Sequence, residues 1–213
     1  LQEKMRKYEG FYIQKRSLRD YQTTIGANVL GYIAEATQYQ IDNDPYYNMG
    51  DLIGKQGVEL SYEEELRGVK GIKFIQKDRF NRDIGPYKDG IYDTVPQQGK
   101  DITISIDADL QEYGERLMQK KHGGIVAIEP SSGEILALVS APTYDPNLLV
   151  GRQRSRNFTK LYNDTINRPL IDRGLLRMHE PGSPFKVFVS LGALQEHAIT
   201  PQTTLYCSGV YHY

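Results

Sequence analysis

The chain has 213 residues, 39% of them hydrophobic, with 26 basic and 27 acidic side chains and a formal net charge of −1. So balanced a charge excludes a dedicated nucleic-acid binder, and the length suits one large or two modest domains. The single cysteine, Cys207, excludes an internal disulfide, and four scattered histidines lack metal-ligand spacing, so neither a metal nor a cofactor is expected.

Leu1–Gly10 is charged and weakly periodic, and reads as a frayed arm. Thr24–Ala34 (TIGANVLGYIA) is apolar with two glycines, which fits a strand or a helix–strand junction better than a plain helix. Asp42-Asn43-Asp44-Pro45 is a turn cluster. Gly57–Gly68 (GVELSYEEELRG) predicts a short helix: Val58, Tyr62 and Leu66 repeat every four residues and Gly68 stands at the C-terminal cap. Its Glu63-Glu64-Glu65 run reads as a solvated face. Gly71–Gly85 reads as a β-hairpin turning near Asn81-Arg82, and Pro86–Lys100 is the candidate domain boundary.

Asp101–Asp107 (DITISID) alternates with period two and predicts a strand. Asp107 can cap the next helix, whose stripe is Leu110, Tyr113 and Leu117. Gly123–Ala141 is two apolar runs joined by Pro130-Ser131-Ser132-Gly133, a hairpin with buried strands. Pro142–Asn147 is a loop, shaped by Asp145 and Asn147. Arg152–Glu180 reads as irregular, with a solvated basic loop at Arg152, Arg154 and Arg156 and a short helix near Leu170–Met178. Thr200–Tyr213 is turn-rich, and Cys207 is expected to be a buried small residue. No apolar run approaches the ~20 residues needed to span a bilayer. The chain starts at Leu1 and stops at Tyr213 without a terminating signal, and reads as an excised piece of a longer protein.

The chemistry sits at Pro181-Gly182-Ser183-Pro184-Phe185-Lys186. A serine hydroxyl is a poor nucleophile unless a neighbour takes its proton, and residues three apart share a helix face. Pro181, Gly182 and Pro184 suit a sharp turn into such a helix. Val187, Leu191 and Leu194 would bury it. Burial and the positive end of the helix dipole would lower the Lys186 pKa from its reference of about 10.4. The alternative from these residues alone is a helix-capping serine beside a solvated lysine.

Four segments in order, GKQGVELSYEEELRG, DITISIDADLQEYGERL, GGIVAIEPSSGEILALVSAPTYDPN and PGSPFK, resemble the class B penicillin-binding proteins, the peptidoglycan D,D-transpeptidases of bacteria. The resemblance runs from about Tyr21 to Tyr213. It implies an α+β fold: a β-rich, non-catalytic pedestal over residues 1–98, then an incomplete transpeptidase domain over 99–213 built as an antiparallel sheet with helices. GANVLGYIAEA and GVELSYEEELRG are most similar to the elongation-type member. Ser183 matches the acylated serine and Lys186 its lysine partner. The resemblance further implies a stem-pentapeptide substrate, acylation by β-lactams, polymerase and scaffold partners in wall synthesis, and a periplasmic location at the inner membrane through an N-terminal anchor.

The family pattern continues with Ser-x-Asn and then Lys-Thr-Gly. Neither follows Lys186, and Ser155-Arg156-Asn157 precedes the nucleophile, the wrong order. Asp172-Arg173 stands for the usual Asn-Arg, Glu180 for a proline, and Pro184 for a threonine. The 213 residues alone are therefore expected not to catalyse, and the 125–139 hairpin to carry an unpaired edge. Two competing readings are a partner-binding module in the pedestal and a serine β-lactamase or β-lactam sensor; the N-terminal segments argue against the latter.

Overall fold

The computed structural model describes residues 18–178, 180–204 and 206–209; the Leu1–Gly10 arm, His179 and His212 lie outside them. Contacts divide the chain into two compact units, Leu1–Leu176 and Arg177–Tyr213. Helices and three two-stranded antiparallel sheets alternate, an α+β arrangement.

In the first unit, Thr24–Ala34 is a helix–strand junction: helix α1 (Ala27–Leu30) runs into strand β1 (Ile33–Glu35). Helix α2 (Gln38–Asn43) follows and overlaps the start of the turn cluster expected at Asp42-Asn43-Asp44-Pro45. Its signal was present, a capping box in which Thr37 and Gln40 satisfy each other's backbone N–H. Strand β2 (Leu52–Gly54) pairs antiparallel with β1, Ala34 opposite Ile53. The predicted 57–68 helix is two short ones, α3 (Gly57–Ser61) and α4 (Glu63–Arg67), broken at Tyr62. Gly31 and Gly57 sit backbone against backbone: a Cβ on Gly31 would lie 1.8 Å from the Gln56 carbonyl oxygen, so no side chain fits there. The acidic run is only partly solvated, because Glu63 pairs with Arg67 at 3.4 Å.

The second hairpin, β3 (Ile75–Lys77) with β4 (Asp83–Pro86), turns through Asn81 in the left-handed region. Two isolated bridges, Val69 to Gln97 and Ile72 to Thr94, tie its base. None of the residues from Val69 to Lys100 is buried, and Ile72, Phe80, Ile84, Ile91 and Val95 are all more than half exposed.

The strand expected at Asp101–Asp107 does not form. Ile102, Ile104 and Ile106 do alternate inward, but a strand needs a ladder, and among the described residues none runs beside them. Among the described residues, the links from this stretch to the hairpin are from Ser105 Oγ and the Asp107 N–H, to the carbonyls of Ile135 and Leu136. Asp107 caps helix α5 (Ala108–Leu117) by accepting from the Leu110 N–H, as expected. The helix face is the reverse of the expected one. Leu110, Tyr113 and Leu117 face outward, while Gln111 and Gly114 are buried.

Two contacts explain this reversal. The Gln111 amide acts as a surrogate peptide on strand β6 (Ile135–Ala141), accepting from the Leu138 N–H at 2.8 Å and donating to the Leu138 carbonyl at 3.0 Å. Gly114 lets the helix close on Val139, whose Cγ2 would lie 2.7 Å from an added Cβ. β6 pairs antiparallel with β5 (Gly123–Ile128). Leu138 spends its backbone groups on Gln111, so that edge of β6 is partly covered. This corrects the expectation of a bare hairpin edge on that side; beside β5, no further strand runs among the described residues. β6 is almost wholly buried, whereas β5 is half-buried.

The core centres on Ala27, Tyr144 and Leu149, with Tyr32, Phe158, Leu161 and Leu170 packed on it. Phe158 and Leu161 belong to helix α6 (Arg154–Tyr162), which replaces the expected basic loop. Packing, not periodicity, forms this helix: its apolar residues are few, and Phe158 and Leu161 serve that contact while Tyr162 is exposed. The helix expected near Leu170–Met178 is a set of turns. Asp172 accepts from the N–H groups of Gly174 and Leu175, a local alternative to helical bonding.

The second unit is built on helix α7 (Phe185–Gln195). Its expected burial is not met. Phe185, Val187, Phe188, Val189 and Leu191 are all more than half exposed, and no described residue of the helix is buried. Cys207, expected inside, is exposed.

Candidate active site

Ser183 lies in the turn that leads into α7. Gly182 takes a φ of 59°, which a residue with a Cβ adopts at a cost, and so turns the chain sharply before the serine. Pro184 is the N-cap at φ −56°, helical already, and its ring fixes the first turn. The Phe185 N–H donates to the Gly182 carbonyl at 3.1 Å, the Lys186 N–H to the Ser183 carbonyl at 3.0 Å and the Val187 N–H to the Pro184 carbonyl at 3.3 Å. These three-residue steps place Ser183 and Lys186 one tight turn apart at the helix start. Both side chains are exposed. The burial on which the expectation for Lys186 rested is absent among the described residues.

The first unit holds polar contacts that spacing did not foretell. Glu59 of α3 is buried; Arg19 donates to it through Nε at 2.8 Å and Nη2 at 2.9 Å, and the Tyr21 hydroxyl donates at 3.0 Å. The Asn147 amide brackets the Tyr21 peptide, accepting from its N–H at 3.1 Å and donating to its carbonyl at 3.0 Å. Asp145 holds the Asn147 N–H, so both residues shape that loop as expected and Asn147 also clamps the strap at 19–23. Burial, then the Glu59 charge, pushes the Tyr21 phenol well above the ordinary tyrosine value. The signal in sequence was faint: one acid, Glu59, ahead of a more conspicuous acidic run. Ser140 Oγ donates to the Ile171 carbonyl and accepts from the Arg173 N–H, and the Arg173 guanidinium is buried against the carbonyls of Asn167 and Arg168. Asp172-Arg173 thus serves as a staple for its own loop. Among the described residues no three His, Cys, Asp or Glu side chains converge as a metal site.

Comparison with known proteins places these features in a family. Residues 1–104 match the model of the penicillin-binding protein dimerisation domain, and residues 123–213 match that of the penicillin-binding protein transpeptidase domain. The peptidoglycan D,D-transpeptidase MrdA of Escherichia coli (strain K12) is 35% identical over 188 residues, covering 85% of this chain and 29% of that protein. The penicillin-binding protein PBP2 of Helicobacter pylori, solved in complex with MreC, superposes with a TM-score of 0.80 at 28% identity, over 96% of this chain and 38% of that one. PBP2 of Pseudomonas aeruginosa, solved in complex with WCK 5153, gives 0.71 at 34% identity, over 94% and 40%. The chain thus spans less than a third of the MrdA relative's length.

Proposed function

The chain belongs to the penicillin-binding proteins, and from that premise we propose that it is part of a peptidoglycan D,D-transpeptidase of the elongation type, with Ser183 as nucleophile and Lys186 as its proton partner. The observation that carries this reading is the position of Ser183-Pro184-Phe185-Lys186. It falls inside the stretch that matches the transpeptidase model, at the mouth of a helix that sets the two residues one turn apart. In the reaction, Ser183 Oγ gives up its proton and attacks the carbonyl of the penultimate D-alanine of a stem pentapeptide. The peptide bond to the terminal D-alanine breaks, that residue leaves as the free amino acid, and a serine ester remains. An amine from a neighbouring stem attacks the ester, forms the cross-link and returns the proton to the serine. β-Lactams acylate the same hydroxyl. The Ser183 N–H supplies one oxyanion donor, and the Lys-Thr-Gly strand of the intact enzyme the other.

In this reading residues 1–98 form the pedestal and 99–213 the opening of the transpeptidase domain, held on the periplasmic side of the inner membrane by an anchor. A second role for the pedestal rests on the β3–β4 module, whose apolar side chains are exposed throughout. Such a surface suits protein partners of the wall-synthesis machinery, scaffold or polymerase. The deciding experiment is labelling of the intact protein with a fluorescent penicillin. Ser183→Ala is expected to lose all labelling while keeping its unfolding temperature; normal labelling of that variant would move the nucleophile elsewhere.

A further inference from the structure

A second candidate site lies within the first unit, and none of its lining residues belongs to the proposed transpeptidase chemistry. It is a groove of about 480 Å³, between the β1–β2 layer and helix α6, within the size of small-molecule sites. Tyr32, Ala34 and Phe158 give it apolar walls, with the two rings 5.5 Å apart. Lys55, just after β2, and Arg154, at the start of α6, both line it. Lys55 is half-buried, and among the described residues no carboxylate pairs with its ammonium. One of its three N–H groups is fixed on Gln40 Oε1, the same oxygen that completes the Thr37 capping box. The cation is thus held in place, and among the described residues its other two donors meet no acceptor. Arg154 is anchored by the Ile33 carbonyl at 3.4 Å and approaches Glu35 at 3.7 Å. Burial, and then the Arg154 charge, depress the Lys55 pKa below the ordinary lysine value, which is the mark of a cation short of a counter-charge.

We propose that this groove is a binding site for a monoanionic carboxylate carried on a small apolar body, its carboxylate held between Lys55 and Arg154 and its apolar part against Tyr32 and Phe158. The charge count selects the ligand. Two cations less the nearby Glu35 leave a single positive charge, which one carboxylate neutralises and a dianionic phosphate overfills. Lys55 lies in the stretch matching the dimerisation model and Arg154 in that matching the transpeptidase model, so an occupant bridges the two. The inference stands apart from the proposed reaction and does not depend on Ser183.

The test is binding to the full chain, by saturation-transfer NMR and calorimetry. The probes are N-acetyl-phenylalanine for a peptide C-terminus, octanoate for an amphiphile, the primary amide of each, and inorganic phosphate. The expected result is saturable binding of at least one acid, with its amide weaker by about tenfold or more, the worth of a charge-assisted hydrogen bond. Whichever acid binds better identifies the source. Lys55→Gln should weaken that acid to the same degree, while Lys160→Gln, outside the groove lining, leaves it unchanged. Equal binding of acid and amide, tighter binding of phosphate, or no saturable binding of either acid would each overturn the proposal. The acid–amide comparison needs no variant, so it holds even if Lys55→Gln unfolds.

Discussion

At the scale of single residues, two side chains depart from what their types suggest. Gln111 would be a surface residue on most helices, yet here it satisfies both backbone groups of Leu138. Gln111→Leu leaves that N–H and carbonyl buried and unpaired, at roughly 1–3 kcal/mol each, so we expect about 2–6 kcal/mol of lost stability in chemical denaturation. A loss under half a kcal/mol would show that water replaces the amide. Tyr144 is the opposite case: it is buried in the core, and its hydroxyl has no hydrogen-bond partner among the described residues. Tyr144→Phe should be neutral or stabilising by about 1 kcal/mol at neutral pH.

Burial also raises the Tyr144 and Tyr21 pKa values above those of the unfolded chain. A raised phenol favours the protonated folded state, so its contribution is complete below the unfolded value of about 10 and is lost as pH climbs beyond it. Stability measured from pH 9 to 11 should therefore fall above about pH 10, and Tyr144→Phe should reduce the slope. An unchanged slope would place the alkaline loss on other tyrosines.

At the scale of elements, the sequence showed its hairpins clearly and its helices unevenly. A turn at Asn81-Arg82 marked the 71–85 hairpin, and two apolar runs joined by a turn containing Gly133 marked the 123–141 hairpin, because those signals are local to the strands and turns themselves. The face of α5 was not legible. Leu110, Tyr113 and Leu117 carry the stripe, but a glycine and an amide decide the contact because they allow close approach and pair the edge of β6. Asp101–Asp107 has the burial rhythm of a strand without a neighbour to bond, and periodicity reports only the former. Helix α6 has no clear period and is set by packing of Phe158 and Leu161.

The α5 contact is testable by Gly114→Ala, a change that ordinarily stabilises an exposed helix interior by roughly 0.5–1 kcal/mol. Here the added Cβ meets the buried, β-branched Val139 at 2.7 Å, so we expect a loss of about 1–3 kcal/mol. A gain would mean that the helix stands off β6.

At the scale of the whole molecule, the family was legible in four ordered segments, and the Ser-x-x-Lys motif proposed to carry the nucleophile needs only one turn of helix. The state of the helix was not. α7 is apolar on nearly every side, a pattern that belongs to a buried helix, yet none of its described residues is buried. Neither Ser-x-Asn nor Lys-Thr-Gly occurs after Lys186 within the 213 residues. A penicillin is accordingly expected not to acylate these 213 residues by themselves; stoichiometric labelling of them would show that one turn of helix suffices.

The central claim is that Ser183 is the residue acylated. It is tested most directly by exposing the intact protein to a penicillin, digesting it and locating the added mass by peptide sequencing in the mass spectrometer. The account predicts one acyl group, on Ser183. An acyl group on any other residue, with Ser183 unmodified, would contradict it.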